Sequence, residues 1–169
     1  MCPAILADLT SSFLDRNLPN YSFGSDAPYQ NSPTAIEKCI VSRTDFRLLA
    51  TLSKLAAMSR GGQGEAGYYG RLIGNRIVGS IETSVVGRSM RGTEFGNPLF
   101  PPSDAIYQFH VHAFAGGGRY VGPSSSDLRD LEMANDYASG KPIIGFVMEN
   151  DLIYSYGRKN SASVSGCPQ

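Results

Sequence analysis

Apolar positions along this chain change their period several times, and each change marks an element. From Ser32-Pro33 the pattern opens a short helix, TAIEKCIV, with serine at the N-cap and proline at the first helical position. Phe46, Leu49, Leu52, Leu55 and Ala56 then recur at helical spacing after Thr44, and the run stops at Arg60-Gly61-Gly62. The spacing predicts a second helix whose apolar stripe packs on a sheet. AGYYGRLIG and RIVGSIETSVVG read as two strands of a hairpin turning at Gly74-Asn75, and residues 87–104, rich in glycine and proline, read as a long loop. The strand pattern resumes in AIYQFHVHAF. After the glycines at 116–118, SSSDLRDLEMANDYASG carries a helix start, helical apolar spacing at Leu128, Leu131 and Ala134, and a stop at Gly140. PIIGFVMEN is a short, nearly continuous apolar strand, and Asn150-Asp151 turns the chain into a last strand, LIYSY.

Strand, helix and strand in that order predict a crossover that lays two strands parallel in one sheet. The fold class is therefore α+β with an α/β-like section, a central mixed sheet flanked by helices, and the crossover carries the richest chemistry. Residues 1–31, with prolines at 3, 19 and 28, read as an N-terminal arm; residues 32–157 form the domain; residues 158–169, small and polar, read as a flexible tail.

Composition narrows the function classes. Hydrophobic residues are 41% of the 169 and charged residues 18%, enough for a core. Fifteen basic residues balance fifteen acidic ones, so there is no footprint for nucleic acid or an anionic membrane surface. The three cysteines, Cys2, Cys39 and Cys167, contain no CxxC pair; they suggest neither a disulfide framework nor a four-cysteine zinc site, and favour a reducing compartment. No apolar run is long enough for a bilayer, and MCPAILADLTSS lacks a basic stretch followed by a long apolar one. The expectation is a cytoplasmic protein not exported by the general secretory route.

The chain has two histidines, His110 and His112, two apart in a predicted strand, so the pleat turns both rings to one face. An HxH pair alone arises readily by chance. Downstream, Ser124 and Asp127 stand three apart at a helix start, the spacing of a capping box. An aspartate in that first turn can cap and still aim its carboxylate at a cation. Two imidazoles and one carboxylate give zinc three protein ligands and leave a fourth position for water, the arrangement of a catalytic rather than a structural site. Amide hydrolysis there also needs a base, and the candidates are Glu65, heading the first core strand, and Glu82, within the second.

A glutamate at a strand head, then HxH, then SxxD at a helix start resembles the signature of the JAMM metalloproteases, the MPN or JAB domain family. The resemblance spans roughly residues 32–157 and implies an MPN/JAB-like fold and zinc-dependent peptidase or isopeptidase activity. It implies His110, His112 and Asp127 as zinc ligands, Glu65 as general base and Ser124 as the oxyanion-stabilising serine. Eleven residues separate His112 from Ser124, more than in many family members, and Ala113 stands where a proline is common. Together with GEAGYYGRLIG, these departures look more like the JAB-like domains at the C-terminal ends of bacterial Rhs-type polymorphic toxins. That resemblance implies an effector or toxin module delivered into a target cell by a specialised secretion system. The partners it implies are a protein or peptide substrate and an immunity or carrier protein, with no nucleic acid and no membrane.

Two alternatives stand beside it. A catalytically silent MPN-like scaffold would bind proteins through the tyrosine-rich arm and the YYGRL strand. A thiol hydrolase would use Cys39 as nucleophile with His110 as its base, although a cysteine in a short amphipathic helix is ordinarily a small apolar residue. A cupin lacks its third histidine here, and a zinc deaminase lacks PCxxC.

Overall fold

The computed structural model describes residues 16–59, 65–83, 101–112, 121–137, 142–157, 164, 166 and 167. The first half of the expected arm, most of the loop at 87–104, the glycines at 116–118, the helix stops at 60–62 and 140, and most of the tail lie outside them.

In chain order the elements are β1 (Ser22–Phe23), α1 (Ala35–Ser42), α2 (Thr44–Ser59), β2 (Ala66–Ile73), β3 (Arg76–Val78), β4 (Glu82–Thr83), β5 (Ala105–Val111), α3 (Ser125–Tyr137), β6 (Ile144–Glu149) and β7 (Leu152–Tyr156). They form one mixed sheet in the order β1-β7-β6-β5-β2-β3, with β4 paired to β2 beyond the short break after β3. The protein is thus α+β. As the order strand–helix–strand predicts, β5 and β6 are parallel neighbours with α3 between them in sequence. The hairpins are as expected: β2 and β3 pair antiparallel across Gly74-Asn75, and β6 and β7 across Asn150-Asp151, whose positive φ angles of 49° and 65° suit a two-residue turn.

Each face of the sheet has its own apolar layer. Alternate residues of the central strands, Tyr68, Tyr107, Phe109, Val111, Phe146 and Met148, join α1 and α2 in the larger cluster, where the Phe46 ring lies 5.5–5.7 Å from those of Tyr107, Phe109 and Phe146. The opposite face carries Val147, Tyr154 and Tyr156 against Leu131 and Ala134 of α3. Tyr68 is buried and its hydroxyl meets that of Tyr107 at 2.9 Å, so this tyrosine belongs to the core and not to a recognition surface.

Several expectations are corrected. The first helix begins two residues later than predicted, because Thr34 and not Ser32 is the cap: its hydroxyl accepts the Glu37 N–H while the Glu37 carboxylate accepts the Thr34 N–H. The α2 stripe is rotated from the leucine line. Phe46, Ala50, Ser53 and Ala57 are buried, whereas Leu52 and Leu55 are 43% and 54% exposed. Small residues face the sheet because its aromatic side chains already fill the space between the layers.

The described part of the arm does more than lie on the surface. Ser22 and Phe23 extend the sheet parallel to β7, Gln30 bridges to Tyr156, and Arg47 Nε and Nη2 donate to the carbonyls of Pro19 and Leu18 at 2.9 and 2.6 Å. The tail is tied down at two points: Val164 is buried and Cys167 forms a disulfide with Cys39. This bond runs against the reading that the three cysteines build no disulfide framework and favour a reducing compartment, and it removes the Cys39 thiol required by the thiol-hydrolase alternative. Its helix also packs on the sheet face opposite His110. Among the described residues, no helix is long and apolar enough to cross a membrane.

Candidate metal centre

The pleat and the strand register build one end of this site. His110 pairs with Gly67 of β2 on one side and with Val147 of β6 on the other, on the face covered by α3. His112 lies one pleat further, just past β5, and its backbone N–H donates to the Met148 carbonyl at 3.0 Å, so the ladder continues beside the end of β6. The two imidazole centroids are 5.1 Å apart. Continuing the antiparallel β2–β5 register, in which Ala66 faces Val111, sets Glu65 opposite His112.

The first turn of α3 supplies the third group. Ser124 is its N-cap: the Ser124 N–H and hydroxyl donate to Asp127 Oδ2 at 2.6 and 2.9 Å, and the Asp127 N–H returns a bond to Ser124 Oγ at 3.2 Å. The cap thus fixes the carboxylate through Oδ2 and leaves Oδ1 free of the cap, on the side of His110. His110 Nε2 stands 3.3 Å from Asp127 Oδ1, and His112 Nε2 stands 3.4 Å from Oδ2. One donor atom from each of His110, His112 and Asp127 lies within 4.8 Å of the others, the one such group of three among the described residues.

These residues fit a divalent ion. His110 is 2% exposed, yet neither of its ring nitrogens makes a hydrogen bond, the Asp127 contact lacking the alignment for one. A buried imidazole without a partner is costly unless something completes it. A tetrahedral ion with donor bonds of about 2.0–2.1 Å separates its donors by roughly 3.3 Å, and each imidazole already stands at about that distance from one oxygen of Asp127.

The electrostatics point the same way. Burial works against a charged His112 ring, but Asp127 and Glu149, with Glu65 behind them, overcome it and raise the group to about 10. Burial would likewise raise the Asp127 carboxyl, but the two imidazoles reverse this and hold it far below the ordinary range. The carboxylates around His112 thus favour positive charge at this point.

Of the expected residues, the structure brings together His110, His112, Asp127 and Ser124, and Glu65 borders them through its register and its charge on His112. Glu82 pairs with Gly67 and is exposed, one strand further from His110. Sequence reasoning missed Glu149. Its Oε2 lies 3.6 Å from His112 Nδ1 and accepts the Gly122 N–H at 2.9 Å. The only signal was an acidic residue ending an apolar strand predicted to run parallel to the histidine strand. No family model, curated protein or solved structure matches this chain.

Proposed function

We propose that this chain is a zinc-dependent peptidase or isopeptidase of the JAMM type, with an MPN/JAB-like fold, that hydrolyses an amide bond in a protein or peptide. The observation that carries the reading is the convergence of His110, His112 and Asp127 within 4.8 Å of one another, with the His110 ring buried and neither of its nitrogens hydrogen-bonded. Held by these three residues, zinc would polarise a scissile carbonyl and acidify a water.

The chain's own groups supply the rest. Glu65 takes the proton from the attacking water and returns it to the departing amine; its register beside His112 favours it over exposed Glu82. Ser124 holds Asp127 in place, and stabilising an oxyanion would require its hydroxyl to give up the 2.9 Å bond to that carboxylate. The entry strand and the long insert before Ser124 support a bacterial effector or toxin module. A disulfide suits a delivered chain that meets an oxidising compartment.

Elemental analysis of purified wild type beside Asp127→Ala tests the centre. Near-stoichiometric zinc in the wild type and its loss in the variant are expected. Zinc absent from both under metal-replete conditions overturns the reading.

A further inference from the structure

We propose that Glu149 is a positioning residue for the metal centre: its carboxylate fixes His112 through Nδ1 and, with the same oxygen, anchors the chain that enters α3. This rests on the zinc-centre reading above.

The two nitrogens of the His112 ring face different carboxylates on opposite edges, Nε2 toward Asp127 at 3.4 Å and Nδ1 toward Glu149 at 3.6 Å. A neutral imidazole offers a lone pair at one nitrogen and a proton at the other, and the partner of the second decides which is which. When Nε2 gives up its proton to bind an ion, Glu149 beside Nδ1 selects the Nδ1–H tautomer and leaves the Nε2 lone pair on the side of Asp127. The 3.6 Å approach is longer than a hydrogen bond, so metal binding at Nε2 is expected to draw Nδ1–H and carboxylate together. Glu149 is not among the residues whose donor atoms converge, so it supports a ligand without being one.

The second contact joins the strand to the helix. Glu149 Oε2 accepts the N–H of Gly122, two residues before the Ser124 cap that holds Asp127. Gly122 has φ +79°, and a Cβ there would lie 2.5 Å from the Ala27 Cβ, so only glycine brings this N–H in so closely. The side chain of Glu149 is 14% exposed, which shields both contacts from water.

Zinc affinity, measured by competition with a chromophoric chelator for wild type, Glu149→Ala and Glu149→Gln, tests the proposal together with ¹⁵N NMR of the His112 ring in zinc-loaded protein. The wild type should show a slowly exchanging Nδ1–H. Glu149→Ala should bind zinc about 10–100-fold more weakly and lose that protection. Glu149→Gln, whose amide oxygen still accepts, should recover the Nδ1–H signal and part of the affinity, a rescue that a merely structural role does not predict. Should Glu149→Ala fail to fold, the Gln variant decides: a protected Nδ1–H supports the proposal, and its absence overturns it. Wild-type affinity with unchanged protection in a folded Glu149→Ala, or zinc bound through Nδ1 in the wild type, also overturns it. If the wild type binds zinc and the variants are indifferent, this inference alone falls; if the wild type takes up none, the zinc-centre reading falls first.

Discussion

Gly67 of β2 presses against His110 of β5 so closely that a Cβ at position 67 would lie 2.9 Å from the His110 Cβ and 2.3 Å from the Phe109 carbonyl oxygen. Backbone cannot yield to such a contact as the end of a flexible side chain can. Gly67→Ala should therefore push the histidine strand away from its neighbour, costing about 1–3 kcal/mol as overpacking does. It should also weaken zinc binding. Urea denaturation of the metal-free protein and chelator competition check the two effects; an alanine variant matching wild type in both would show that this approach does not set the His110 position.

Glu65 and Glu82 separate by chemistry. Glu65→Gln should lower the hydrolysis of any peptide or isopeptide that the wild type cleaves by about 10²–10⁴-fold while zinc content stays near stoichiometric. Glu82→Gln should stay close to wild type, because Glu82 is exposed and one strand further from His110. Rates and metal content measured on the same preparations distinguish loss of proton transfer from loss of the ion.

The Cys39–Cys167 bond joins residues 128 apart. On the chain-entropy view a loop of that length stabilises by about 4–5 kcal/mol, and native disulfides removed from small domains typically cost about 2–5 kcal/mol. Cys39→Ser, or reduction of the wild type, should lower the urea midpoint accordingly. Zinc affinity and hydrolysis should persist, since α1 belongs to the layer on the far side of the sheet from His110 and His112. Abolished hydrolysis in a folded Cys39→Ser that still binds zinc would reinstate the thiol mechanism.

Asp45 predicts how stability responds to acid. Burial tends to raise its carboxyl, but the Arg43 guanidinium and the N–H groups of Ile77 and Phe46 more than reverse this and hold it below the ordinary carboxylate value. The bonds span 2.7–3.0 Å and tie the start of α2 to β3. A depressed carboxyl contributes stability that is complete above its unfolded value, near 4, and lost as pH falls through its folded one. Asp45→Asn should cost about 2 kcal/mol at neutral pH. It should also flatten the decline in stability below about pH 4. Denaturation midpoints between pH 2 and 7 show whether wild type and variant converge in acid.

Much of the site was legible because its parts are local. A two-residue repeat in a strand turns both histidines to one face, and a serine three residues before an aspartate caps a helix, whatever the rest of the chain does. The α2 stripe misled because leucine spacing shows which faces a helix could bury, whereas the aromatic rings of Tyr107, Phe109 and Phe146 decide which face has room. β1 left no pattern at all: two residues held by backbone bonds at a sheet edge need no apolar period.

From the residues alone came the order of the elements, the parallel crossover, the turns at Gly74-Asn75 and Asn150-Asp151, and the common face of His110 and His112, all consequences of backbone geometry over a few positions. Only the folded chain set Glu149 beside His112, the head of β2 beside the end of β5 and Cys39 against Cys167. Those neighbours come from strand register and layer packing, which join residues tens of positions apart and follow from the pairing of whole elements, not from the spacing within any one of them.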